Sequence, residues 1–170
     1  GKPGLGNRVG GQINNSTGSI VGGASSLDRN TISGNSVHGI ALHDSSDTQV
    51  RANYVGATPD GSRSLPNGQF GLLAERVSNL VIGISNALSI YNGPTAIALR
   101  GLNGGEGGGG GIGGSLANCH VGLNAAGDTP LGGTVNGLLL EDCGGFNVGG
   151  GSGGAAGGGN RGRSGLQDRV

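Results

Sequence analysis

Apolar residues in this chain come in short alternating runs, each opened by a glycine or an alanine. They begin at Gly10-Gly11-Gln12-Ile13, Gly39-Ile40-Ala41-Leu42, Gly71-Leu72-Leu73-Ala74, Ala96-Ile97-Ala98-Leu99 and Gly137-Leu138-Leu139-Leu140. Gly165-Leu166-Gln167-Asp168 fits less well. The steps between them are 29, 32, 25, 41 and 28 residues. Alternation with a period of two marks strands with one buried face. Turn-forming residues such as Asp44-Ser45-Ser46-Asp47 follow, and then second strands are expected at Thr48-Gln49-Val50-Arg51, Leu80-Val81-Ile82 and Phe146-Asn147-Val148. No 12-residue stretch free of Gly and Pro carries a 3.6-residue apolar period, so helices are not expected.

A longer repeat contains these units. Val55-Gly56 matches Val121-Gly122, Gly61 matches Gly127, Leu65 matches Leu131, and Gly71-Leu72-Leu73 matches Gly137-Leu138-Leu139, all 66 positions apart. Gly71 and Gly83 fall on Gly10 and Gly22 at an offset of 61, while Asn35 to Asn92 and Ile40 to Ile97 are offset by 57. The difference is placed in the run Gly104 to Gly114. Length changes confined to loops, with strands kept in register, are what stacked repeats permit. The expected fold is therefore an all-β solenoid. Each strand pairs in parallel with its counterpart in the next turn, about 4.8 Å away. Ile40, Leu42, Leu72, Ala74, Ile97, Leu99, Leu138 and Leu140 would point inward, with Gln12, Ala41, Leu73, Ala98, Leu139 and Gln167 outward. Residues 1–170 read as one segment that fades after Gly149, so poor order is an open reading for residues 150–170. A small propeller is the structural competitor, but its blades need more strand per repeat.

Composition narrows the picture. Of 170 residues 43 are glycine, aromatics make up 2% and charged residues 12%. That argues against a helical core, where each glycine costs about 1 kcal/mol. Collagen is excluded because glycine is not strictly every third residue. Ten basic and ten acidic residues cancel, which gives no footprint for nucleic acid. No apolar stretch approaches the roughly 18 residues of a membrane span. Cys119 and Cys143 belong to no CxxC pair and read as two small buried or half-buried thiols, with a single bridge as the other reading. Without a methionine anywhere, the chain is expected to be processed or part of a longer array, and the repeat favours the second.

Asn30-Thr31-Ile32-Ser33-Gly34-Asn35, Gly39-Ile40-Ala41-Leu42 and Ala52-Asn53-Tyr54-Val55-Gly56, with Pro59-Asp60-Gly61 and Leu65-Pro66-Asn67, resemble right-handed parallel β-helix repeats. The resemblance runs over roughly residues 5–149 and is to the long-period repeats of large bacterial secreted and surface proteins. It implies a right-handed parallel β-helix of five to six coils with glycine-rich loop insertions. It also implies an extracellular or cell-surface setting, with flanking modules of the same parent chain as partners. Such proteins include polysaccharide lyases, hydrolases and epimerases as well as non-catalytic adhesins and stalks, so the fold alone assigns no chemistry.

The residues that could carry chemistry come from stacking. Asn14, His43, Glu75, Arg100, Glu141 and Arg169 each lie four positions after a strand-opening Gly or Ala, and should form one outward column. Glu75 and Glu141 would sit two turns apart, roughly 9.6 Å at the interstrand spacing. That is near the separation of about 6.5–9.5 Å of an inverting glycosidase pair. His43 beside Glu75 would be an acid or base. The bland reading is a ladder of alternating charge with Arg100 between two glutamates, and it is the stronger one.

Neither the Gly104–Gly114 run, whose one acid is Glu106, nor Gly149–Gly159 forms a calcium motif, so no Ca²⁺ site and no other cofactor is assigned. Asp44, Asp47 and Asp60 read as turn chemistry before a cation cluster. His120 beside Cys119 lacks further zinc ligands. The glycine runs read as inert loops, or as a flap over the adjacent face. Thr-rich rows for ice or crystal binding are missing. The expected function is a non-catalytic scaffold or a carbohydrate-binding or adhesion surface, with a polysaccharide or surface glycan as ligand. A polysaccharide-processing lyase, hydrolase or epimerase whose catalytic turns lie elsewhere is the alternative.

Overall fold

Short alternating segments punctuated by turn residues form strands and almost nothing else. The structure is a computed structural model that describes residues 6–92, 94–102, 113–132 and 135–149. Five strands, β1 (Val9–Asn14), β4 (His38–His43), β7 (Phe70–Glu75), β9 (Thr95–Arg100) and β11 (Asn136–Glu141), line up in that order as one parallel sheet. The second sheet holds β2 (Ile20–Val21), β5 (Gln49–Val50), β8 (Leu80–Ile90), β10 (Gly114–Val121) and β12 (Phe146–Val148), again parallel throughout. Two further strands, β3 (Thr31–Ile32) and β6 (Tyr54–Val55), pair with each other, and β6 pairs with the end of β8. The chain is all-β and solenoid-like. It passes from one sheet to the other and back, and each pass hydrogen-bonds to the previous one.

The five glycine- or alanine-led segments all lie in the first sheet, in the expected register: Gln12 pairs with Ala41, Ala41 with Leu73, Leu73 with Ala98, and Ala98 with Leu139. Segment Gly165–Asp168, the position Arg169, Glu106 and residues 150–170 lie outside the described residues.

Parallel pairing stacks like on like, and four inward rows result. Ile40, Leu72, Ile97 and Leu138 form one row, and Ile13, Leu42, Ala74, Leu99 and Leu140 the next. Val21, Val50, Ile82, Leu116 and Val148 make the third. Ile32, Val55, Ile90 and Val121 make the fourth. The middle members are fully buried, and burying each such side chain contributes about 1.5–3 kcal/mol. This explains how a chain with few large apolar residues obtains a core.

Corners are made by polar chemistry. The residue after each first-sheet strand is left-handed: Asn15, Asp44, Arg76, Gly101 and Asp142 have φ of 48°, 49°, 52°, 61° and 52°. Asn and Asp tolerate this region; Arg does so less readily. Arg76 is held there by a two-pronged pair with Asp44, at 2.6 and 2.9 Å. At another corner three buried asparagines form a ladder. Asn35 Nδ2 donates to Asn67 Oδ1 at 2.8 Å, and Asn92 Oδ1 accepts from the Asn67 backbone N–H at 2.7 Å. Such bonds satisfy backbone groups that no strand partner reaches. Glycine is needed where passes come closest. A Cβ on Gly39 would lie 2.6 Å from the Gly71 carbonyl oxygen, and one on Gly56, whose φ is +78°, would lie 1.7 Å from that of Tyr91.

The 66-residue repeat has a direct structural counterpart. Two short excursions leave the sheets, closed by antiparallel bridges Ala57–Ser64 and Leu123–Pro130. Thr58 N–H bonds Arg63 O at 2.8 Å, and Asn124 N–H bonds Thr129 O at 2.9 Å. The two stack through Ala125 N–H to Gly61 O, at 3.0 Å.

Three expectations need correction. Leu140, placed inward, is 43% exposed, because β11 has no described neighbour on its outer edge. Ala41, Leu73 and Ala98, placed outward, are only 2%, 5% and 0% exposed, because longer side chains on either side fold over them. Gly114, assigned to a loop insertion, opens strand β10 and pairs with Leu80. Leu99 and Leu140 share a row but not its burial. Leu99→Ala should cost about 2–5 kcal/mol, as a filled site becomes a cavity. Leu140→Ala should cost well under half of that, and urea unfolding of the two variants checks the contrast.

Candidate functional site

The residues that end the first-sheet strands form one column. Register places Asn14 beside His43, His43 beside Glu75, Glu75 beside Arg100, and Arg100 beside Glu141. His43 Nδ1 lies 3.2 Å from Glu75 Oε2. The Arg100 guanidinium contacts Glu75 Oε1 at 3.5 Å and Glu141 Oε2 at 2.6 Å. Each carboxylate of the candidate acid–base pair thus has a cationic partner, and Arg100 stands between them. Asn14 sits at the end of the column, where Gln12 Nε2 donates to its Oδ1 at 3.4 Å.

The column does not stand straight out into solvent. Arg100 also lies over the Phe70 ring, with its Cζ 5.3 Å from the centroid, and Phe70 stacks on His38 at 5.2 Å with 16° between planes. The row Ala41, Leu73, Ala98 lies between these two rows. Two of its three side chains are alanine, which lets the Arg100 guanidinium reach across to Phe70 over a row that is itself buried. His43 and Glu75 are 24% and 26% exposed at their side chains. Burial and the neighbouring charges of His43, Arg8 and Arg100 lower the pKa of His38, against a smaller opposing pull from Glu75. The geometry is that of a neutralised, half-covered polar surface rather than a cleft around a free nucleophile.

In comparisons with known proteins, no family model, curated protein or solved structure matched this chain. The site must therefore be read from its own chemistry.

The remaining candidates are not brought together. Asp44 pairs with Arg76, whose hydrogen bonds and charge hold its carboxyl below the usual range. Asp47 Oδ1 accepts from Asn79 Nδ2 at 2.6 Å. Asp60 caps its own excursion by accepting from Thr58 and Ser62, and these bonds hold it well below the usual carboxylate range. The same device recurs in the second excursion, where Asn124 and Thr129 donate to Asp128. Among the described residues, no group of three or more His, Cys, Asp or Glu side chains could hold a metal ion. Cys119 and His120 are consecutive in β10 and so face opposite ways. Cys119 packs against the core, while the His120 ring lies against Gly127. Both cysteines are free and half-buried. Among the described residues no helix is long and apolar enough to cross a membrane.

Sequence reading overlooked His38, Phe70 and Arg8. They precede the strand-opening glycines and share no residue type. The signal that could have found His38 and Phe70 is position, since Val9, His38, Phe70, Thr95 and Asn136 occupy one register row; Arg8 lies one residue before that row.

Removing Arg100 tests the ladder. Arg100→Gln should cost about 1–2 kcal/mol, the sum of two partly exposed ion pairs and one ring contact. The cost should shrink in high salt, as thermal melts at two ionic strengths would show. A second test uses Cys119, whose thiol burial pushes up to about 12. Because the fold favours the neutral thiol, that contribution is complete below the unfolded thiol's ordinary value and lost as pH rises toward 12. Native Cys119 should resist iodoacetamide at mildly alkaline pH and react on unfolding, as mapped by mass spectrometry.

Proposed function

We propose that this chain is a segment of a right-handed parallel β-helix of five to six coils. In this reading it serves as a non-catalytic scaffold or carbohydrate-binding and adhesion surface of a secreted or cell-surface protein. The single observation that carries the reading is the position of Arg100. It binds Glu75 and Glu141 together, and a glycosidase-type pair needs one carboxyl free to donate a proton and the other free to activate water. Stacked passes of parallel strand support the β-helical part. They make a stiff rod whose outer rows repeat along its length, a form suited to display or to contact with a repeating polymer. Flanking modules of the same parent chain and a polysaccharide or surface glycan are the partners this reading implies.

A second reading has one observation in its favour. His43 and Glu75 are within hydrogen-bond reach, which is the geometry of an oriented acid–base pair. A polysaccharide lyase, hydrolase or epimerase would use it, with further catalytic turns elsewhere in the parent chain. Incubation with a panel of insoluble and soluble polysaccharides separates the two. The scaffold reading expects depletion of the protein onto at least one polymer, with no rise in reducing ends or unsaturated uronates. A rise that His43→Gln abolishes would overturn it in favour of the enzyme.

A further inference from the structure

An open recess of about 170 Å³ lies on the outer face of the first sheet and shares His43 with the column. Arg8, Gln12, His38 and His43 supply its polar wall, and Val9 and Ala41 its apolar part. Among the described residues, no carboxylate lines it. Arg8 is exposed, and among the described residues its guanidinium has no acidic partner, whereas Arg76 and Arg100 are both paired. His38 lines the recess with its ring, and because its Nδ1 is buried and without a hydrogen-bond partner among the described residues, a ligand there meets the other edge of the ring. That ring is fixed by the stack on Phe70. His43 gives Nδ1 to Glu75, which leaves its Nε2 uncommitted among the described bonds. The neighbouring polar groove, lined by Ser16, Ser45, Ser46 and Ser78, differs because Asp44 and Arg76 already neutralise each other there.

We propose that this recess is an anion subsite that takes a carboxylate or sulfate group, with Arg8 as the principal charge and Gln12, His38 and His43 as further donors. An unpaired guanidinium beside imidazoles is a matched partner for a planar or tetrahedral oxyanion, and such charge-assisted bonds are about twice as strong as neutral ones. The proposal rests on reading this face as a ligand-binding surface, and it names the ligand class as acidic rather than neutral glycan. The charges acting on His38 are those of His43, Arg8, Arg100 and Glu75. An anion in the recess offsets the three positive ones. Binding should therefore raise the imidazole pKa of His38 and strengthen as pH falls through and below the ordinary histidine value of about 6.5.

The test is a histidine-resolved NMR titration of the whole chain with three probes: inorganic sulfate, an oligouronate and a neutral oligosaccharide of equal length. The expected result is that sulfate, the oligouronate or both shift the His38 and His43 resonances. Arg8→Gln, at an exposed position, should weaken that binding roughly tenfold or more. His38→Phe keeps the ring stack and removes the imidazole, so it should abolish the pH dependence attributed to His38 while the fold persists. Response to sulfate alone assigns a free anion, and a stronger response to the oligouronate assigns an acidic glycan. Binding that Arg8→Gln leaves unchanged, or no response to either anion, overturns the subsite. Binding of the neutral oligosaccharide alone overturns it too, but leaves the glycan-binding reading of the surface standing.

Discussion

Parallel hydrogen bonding between successive passes of the chain is the constraint on which everything else depends. Once two strands pair in parallel, each residue is held about 4.8 Å from one particular residue of the next pass. Rows follow, and each row must be chemically self-consistent. Ile40, Leu72 and Ile97 satisfy this by burial, Asn35, Asn67 and Asn92 by mutual hydrogen bonds, and His43, Glu75, Arg100 and Glu141 by alternating charge. A row of like charges would repel at this spacing. The alternation in the last row is thus a requirement of stacking before it is a sign of function.

The same constraint explains the glycine content. Where two passes approach through backbone, as Gly39 does to Gly71 and Gly56 to Tyr91, a side chain would collide with a carbonyl oxygen that has no freedom to move. These positions recur because the approach recurs. Left-handed corners are a separate demand, met by Asn15, Asp44 and Asp142 as well as by Gly101. Glycine is obligatory where passes touch through backbone, whether φ is ordinary, as at Gly39, or left-handed, as at Gly56.

The outer face shows how a row's neighbours alter its role. Ala41, Leu73 and Ala98 point away from the core, yet they are buried between two rows of longer side chains, across which Arg100 reaches to the Phe70 ring. This reach is made possible by the small size of the alanines and is held by the ion pairs and the ring stack. It leaves Arg8 exposed and the recess beside Ala41 open at one end of the sheet, where β1 brings Gln12 in place of an apolar residue.

Period-two alternation and the recurrence of Gly-led segments were enough to establish which strands stack, and in what register. Both are local or repetitive properties, so a ladder of parallel strands follows from them by arithmetic. The column from Asn14 to Glu141 was legible for the same reason. Strand β10 was not, since a glycine run precedes it and its register against β8 shifts between Ala117 and Cys119. The reach of Arg100 to Phe70, the burial of the outward row and the aromatic stack of His38 on Phe70 were decided only in three dimensions. They depend on side-chain lengths in adjacent rows of different strands, and no spacing along the chain encodes that.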